Sequence, residues 1–401
     1  MLYHWDLPQK LQDLGGWTNP LISDWYADYT RVVFSLYADR VKTWITINEP
    51  NMMCDVNYNL GFFAPLIKEP EMAGLLCNKH VLVAHAKAWR IYDREYKPKY
   101  HGKMTIGSHF FWIEPKTAKD QDILELARQG TIGLYCHPIY SKEGGWPPIV
   151  EKAMAKYSKK AGYARSKLPA FTKEEILLVR GTYDFFGMNY YSGRLARHAK
   201  PGDNFTIWSI DGLSEFNIAL DTDPTLPIVG HPYAPLYPEG LRKNIQWLRQ
   251  EYGDLEFFIT ENGCMDDRMQ DQTRMDFIRL HLEQVLISIQ EDGANITGYT
   301  YWTLMDNFEW FLAFGPKYGL YEVDFEDPKR TRTPRASAHY YSSIIKHNSL
   351  NVTIPKGTSK HKDNKTRNTS ISIITNYTYC NCLVSFLLMY LSRILIFVDT
   401  L

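Results

Sequence analysis

The chain has 401 residues, with 45 Lys+Arg against 45 Asp+Glu, so its formal net charge at pH 7 is zero. That balance argues against a nucleic-acid binder, which needs a basic footprint, and 45% hydrophobic against 22% charged residues argues against an acidic disordered chain. The length suits two or three average domains, or one large α/β barrel. Aromatic residues reach 14%, including 27 Tyr and 11 Trp, which suits a core that opens onto a ring-stacking pocket, although much of that excess is ordinary core. Cys54, Cys77, Cys136, Cys264, Cys380 and Cys382 show no zinc-site spacing, and their number is too low for a disulfide scaffold. No secretory leader pattern is legible after Met1.

In chain order, strand-like runs fall at Leu2–Trp5, Val41–Asn48, Lys103–Phe111, Tyr183–Tyr191, Glu256–Glu261 and Ile296–Thr303. Helical periodicity predicts helices over 23–39, 72–96, 173–179, 239–252, 268–291 and 334–346. Thr172-Lys-Glu-Glu175 reads as a capping box, and Gly181, Gly253 and Gly293 follow helical runs where a left-handed residue is wanted. From 351 the composition turns to Asn, Thr, Ser and Lys, predicting a polar, disordered segment. An apolar tail over 382–398 follows it. Arg393 splits this tail into pieces shorter than the ~20 residues of a spanning helix. Residues 351–401 are therefore read as lying outside the fold, either as a lipid-anchor-like signal or as a tail unrelated to it.

Alternating strands and helices predict a mostly parallel sheet. No Gly-x-Gly-x-x-Gly follows a strand and no Walker loop occurs, which weakens a nucleotide-binding reading. Polar clusters end the strands instead: His4-Trp5-Asp6, Asn48-Glu49-Pro50, Asn189-Tyr190-Tyr191 and Glu261-Asn262-Gly263. Reactive groups at several strand C-termini mark the mouth of a (β/α)8 barrel, which needs eight strands where six are legible. Thr46-Ile-Asn-Glu49 and Ile259-Thr-Glu261 each end a hydrophobic strand in a glutamate beside an asparagine. Either alone reads best as a surface ion pair. Together they put two carboxyl groups in one mouth, as glycoside hydrolysis requires.

Over residues 1–348 the sequence resembles family 1 glycoside hydrolases, the β-glucosidase group. The motifs are Tyr3-His-Trp-Asp-Leu-Pro8, Thr46-Ile-Asn-Glu-Pro50, Asp184-Phe-Phe-Gly-Met-Asn-Tyr-Tyr191, Ile259-Thr-Glu-Asn-Gly263 and Trp302-Thr-Leu-Met-Asp-Asn-Phe-Glu-Trp310, in the family's order. His137-Pro-Ile-Tyr-Ser-Lys-Glu-Gly144 is similar to the arthropod members, which include thioglucosidases. The resemblance implies a (β/α)8 TIM barrel over 1–350 that lacks the family's first two strands. With them would go a sugar-binding glutamine and an arginine beside the nucleophile.

It also implies that Glu49 is the general acid/base and Glu261 the nucleophile of a retaining enzyme, with carboxyl groups ~5–5.5 Å apart. His4, Trp5, Asn48, Asn189, Trp302, Glu309 and Trp310 would line the sugar pocket, and Tyr191 would donate to Glu261. A carboxylate at Glu309 would repel a 6-phosphate, so the implied substrate is an unphosphorylated β-glucoside. Leu66, Leu134 and Gly145-Trp146 depart from the family's usual residues and leave the aglycone unspecified.

Three alternatives stay open: a glycoside-binding relative without activity, a thioglucosidase, and a chain inactive because its barrel is incomplete. No metal or organic cofactor is implied, nor a nucleic-acid or membrane partner. The oligomeric state is not legible. Asn204-Phe-Thr, Asn295-Ile-Thr and the arthropod likeness point to a secreted full-length protein.

Overall fold

The computed structural model describes residues 1–352 apart from 70–71, 204, 206–209 and 230–233. The expectations for the tail beyond 352, and for Asn204, lie outside the described residues.

The chain opens on an edge. Leu2 and Tyr3 donate backbone N–H groups to Ile45 and Thr46, and Tyr3 forms a parallel bridge with Ile47. That residue lies on β1 (Thr43–Asn48), which pairs in parallel with β2 (Lys103–Pro115), as β2 does with β3 (Phe186–His198). The short strands β4 (Gly212–Leu213) and β5 (Ile218–Asp221) extend the far end of β3 in antiparallel fashion. Strand β6 (Glu256–Asn262) joins β3 on its other side, and β7 (Asn295–Tyr301) joins β6, both parallel. The pair β8 (Tyr321–Val323) and β9 (Arg332–Pro334) stands apart.

Each parallel crossover carries helices. Ile22–Tyr37 precedes β1, Ala73–Ile91 precedes β2, Leu134–Tyr140, Pro148–Lys160 and Lys173–Val179 precede β3, Glu239–Tyr252 precedes β6, and Gln272–Gln290 precedes β7. The capping box forms: Thr172 accepts from the Glu175 N–H and the Glu175 carboxylate accepts from the Thr172 N–H. Gly181, Gly253 and Gly293 all have positive φ, so each can turn the chain where a side chain would be strained.

Met104, Ile106, Phe186, Met188, Phe257 and Ile259 bury the faces of the central strands. Such apolar runs are expected of parallel strands covered on both sides, and buried polar residues gather instead toward the strand C-termini, as Thr260, Glu261 and Asn262 do. The outer strands differ. In β7 only Tyr301 is buried, and among the described residues β7 pairs with β6 alone, while Leu2–Tyr3 pairs with β1 alone. The six parallel segments therefore form an arc. On the helix Ile22–Tyr37, flanking the Tyr3 edge, Tyr29, Val32 and Leu36 lie on one helical face and are 46%, 59% and 54% exposed.

Strands β2 and β3 run on to Pro115 and His198, past the predicted ends at Phe111 and Tyr191, because their outer halves pair with each other and β3 also takes β5. A disulfide joins the buried Cys54, in the segment after β1, to the buried Cys77 on Ala73–Ile91; this cross-link has no counterpart in the sequence-based reading. No described helix is long and apolar enough to cross a membrane.

Candidate active site

The strand ends converge where the carboxylates lie. Glu49 closes β1 in the left-handed region (φ 42°, ψ 58°), its N–H held by Gly107 O at 2.7 Å, and Pro50 begins a short helix directly after it. A non-glycine residue pays about 1–3 kcal/mol for such a conformation, and the surrounding strand pairing must hold it there. Trp5 and Trp310 also have positive φ, 73° and 53°.

Asn189, fully buried on β3, ties together the two strands that end in glutamates. Its amide N–H groups donate to Glu49 Oε1 at 2.9 Å and Asn48 Oδ1 at 3.1 Å, and its Oδ1 accepts from the Thr260 hydroxyl at 2.6 Å. Tyr191 donates its phenol to Glu261 Oε2 at 3.0 Å. Asn48 shares a hydrogen bond with His4 Nε2 at 3.0 Å, and the Trp5 indole N–H donates to Asn48 O at 2.9 Å.

The aromatic groups gather on one side. Trp5 stacks on Trp310 with ring centroids 4.4 Å apart, His4 lies 5.6 Å from Trp302 and 5.7 Å from Trp310, and the Trp302 indole donates to Glu309 Oε1 at 3.2 Å. All ten residues singled out from the sequence thus meet in one network.

Charge is held tightly here. Burial pushes Glu49 up to about 7, opposed by the Asn189 hydrogen bond and reinforced by the charge of Glu309. Glu261 is raised well above the usual carboxylate range, first by burial and then by the negative charge of Glu49, against hydrogen bonds from Tyr191, Asn189 and Asn48. Burial and mutual repulsion both favour the protonated form of these two carboxyls. Burial also raises Glu309 and lowers His4 to about 4, so His4 is neutral and its Nε2 can accept from the Asn48 amide.

Two residues here escaped the sequence reading. Thr260 is hidden by its place beside Glu261. His109, on β2, stacks on Tyr191 at 5.7 Å with a buried Nδ1 that has no partner among the described residues. No group of three or more metal-ligating side chains occurs among the described residues.

A parallel α/β arc whose strand ends bring two buried carboxyl groups under one amide, beside a tryptophan-lined pocket, has the site of a barrel glycosidase. Comparison with known proteins makes the class specific. The Glycosyl hydrolase family 1 profile matches residues 1–350, and the chain belongs to that family. It is 41% identical over 349 residues to Myrosinase 1 of Brevicoryne brassicae, covering 86% of this chain and 73% of the relative. It is 36% identical over 355 residues to the cytosolic beta-glucosidase of Cavia porcellus, covering 87% and 74%. The solved aphid myrosinase superposes with a TM-score of 0.79 at 40% identity, over 86% of this chain and 74% of that one. The fold is therefore of the (β/α)8 TIM-barrel type and the protein is a glycoside hydrolase.

Proposed function

We propose that the chain carries the catalytic centre of a retaining β-glycosidase acting on unphosphorylated β-glucosides. The observation that carries this reading is the convergence of Glu49 and Glu261, from β1 and β6, around Asn189. Glu49 protonates the leaving oxygen while Glu261 attacks the anomeric carbon. Once the glycosyl ester forms, the charge on Glu261 is gone, Glu49 becomes more acidic, and it can take a proton from water. Trp302 and Trp310 offer flat faces to the sugar's C–H side, with Trp5 behind Trp310. Asn48 and His4 are placed for ring hydroxyls, and Glu309 for the outer ones.

For the first step the proton must rest on Glu49. Burial alone would place it on Glu261; the Tyr191 phenol offsets this, and the family resemblance adds an arginine from strands outside the described arc. We infer that two further β/α units close the barrel between Tyr3 and β7. The exposed β7 strand and the exposed apolar face of Ile22–Tyr37 support this.

In the closed barrel, Glu261→Gln abolishes turnover. Glu49→Gln slows alkyl glucosides by about 10²–10⁴-fold, and aryl glucosides with good leaving groups far less. Equal losses on both substrates would remove Glu49 from the acid role. The likeness to a myrosinase favours thioglucosides as a second reading. Their leaving groups need little protonation, so Glu49→Gln would leave formation of the glycosyl ester nearly intact and slow only its hydrolysis, where Glu49 acts as base.

An oxidising, extracellular setting is proposed from the Cys54–Cys77 bridge and the exposed sequon Asn295. Alkylation of protein denatured without reductant should spare both cysteines; their labelling would refute it.

A further inference from the structure

We propose that Thr260 is a positioning residue for Glu49: its hydroxyl fixes the Asn189 amide so that the NH2 end faces the acid/base carboxylate. The proposal rests on the assignment of Glu49 made above. Nothing in the motif reading gives Thr260 a task, and it contributes no group to a sugar.

The geometry is directional. Thr260 Oγ1 donates to Asn189 Oδ1 at 2.6 Å, consuming the amide's oxygen. The amide's two N–H groups then point at Asn48 Oδ1 and Glu49 Oε1. When Glu49 is ionised, the flipped amide would set three oxygens facing one another without a proton between them, so the observed orientation is the one that supports the carboxylate form. With His4 in its neutral Nδ1–H tautomer, Nε2 accepts from the NH2 end of Asn48, and that contact opposes a turn of Asn48 that would relieve the clash. The order His4, Asn48, Asn189, Thr260 therefore runs one way across the mouth.

Asn189 is fully buried, so water cannot replace a lost donor at Oδ1 without repacking. With Oδ1 orphaned, the amide loses the restraint that keeps its NH2 end on Glu49.

Two consequences follow for the chemistry. Glu49 Oε1 is engaged by Asn189, while Oε2 has no hydrogen-bond partner among the described residues. The proton is thereby directed to Oε2, the oxygen free to face the glycosidic bond. The anchoring hydroxyl also belongs to the residue directly before Glu261. The strand carrying the nucleophile thus sets the orientation of the acid/base, so the two carboxyls are registered to each other.

The test reads Glu49 directly rather than turnover. The full chain, labelled with 13C at the glutamate carboxyls, is titrated by NMR, and Glu49→Gln identifies the signal. Wild type should show a midpoint up at about 7. Thr260→Val, equal in shape but without a donor, should move the midpoint up by about one pH unit, because the hydrogen bond that favours the ionised form is released. Thr260→Ser should restore the wild-type midpoint to within about 0.2 units, which loss of packing alone would not produce. Thr260→Cys, a weaker donor, is the second variant and should give a smaller shift of the same sign. A midpoint unchanged in Val and Cys variants while Asn189→Ala moves it would overturn the proposal and leave the active-site reading standing. A wild-type midpoint in the ordinary carboxylate range would instead sink the reading of Glu49 itself.

Discussion

At the residue scale the site is governed by buried carboxyls whose folded-state pKa exceeds the unfolded one. For Glu49 the sign is fixed: a raised folded pKa stabilises the fold below the ordinary carboxylate pKa, near 4.3, and that contribution is lost as pH rises through about 7. The melting temperature should therefore fall between these two pH values, and Glu49→Gln should flatten the fall, as a thermal scan at half-unit pH steps will show. A slope identical in the variant would mean that Glu49 does not hold the proton. Glu309 offers a second residue-level expectation. It is half-buried and bound by the Trp302 indole, so Glu309→Ser should weaken hydrolysis of a plain glucoside and reduce discrimination against a 6-phospho-glucoside. A wild-type enzyme that already prefers the phosphorylated substrate would remove Glu309 from the pocket.

Among the elements, the segment from Trp302 to Pro334 depends on one buried ion pair. Arg335 donates to both oxygens of Asp306 at 3.0 and 2.9 Å, both side chains are fully inaccessible, and Asp306 also accepts from Gly319 N–H. Removing the cation strands a buried carboxylate, so Arg335→Ala should cost about 3–5 kcal/mol in a denaturant titration. A loss under about 1 kcal/mol would show that the pair is not holding the segment.

The sequence announced this segment only through Trp302, Glu309 and Trp310; Asp306 and Arg335 are 29 residues apart and neither sits in a periodic pattern. The strands ending in Glu49, Asn189 and Glu261 were legible because hydrophobic runs stop abruptly at polar groups. The outer halves of β2 and β3 were not, since their pairing is with partners distant in sequence. Leu134–Tyr140 contains Pro138, which masks a helical pattern, and no local signal tied Cys54 to Cys77 across 23 residues.

For the whole molecule the arc's two edges decide competence. The charges acting on Glu49 and Glu261 include no cationic neighbour, and burial favours leaving a proton on Glu261, the proposed nucleophile. The 401-residue chain on its own should therefore show no measurable turnover of an aryl β-glucoside. Activity should appear when the two further β/α units proposed above are supplied, fused or in trans. Ordinary turnover by the chain alone would overturn the inference that the barrel is open.

The residues proposed for the sugar pocket come from both edges of the arc. His4 follows Tyr3 on one edge, Trp302 follows β7 on the other, and their rings lie 5.6 Å apart, with Trp5 on Trp310 beside them. A sugar held by both sides is a keystone as much as a substrate. A sugar bound there would span the seam between the two edges, and a ligand that prefers the assembled mouth stabilises that assembly by up to RT ln(1 + [L]/Kd). Saturation and closure of the proposed barrel would then be one equilibrium, and the apparent affinity for a glucoside would report how firmly the two edges are held together.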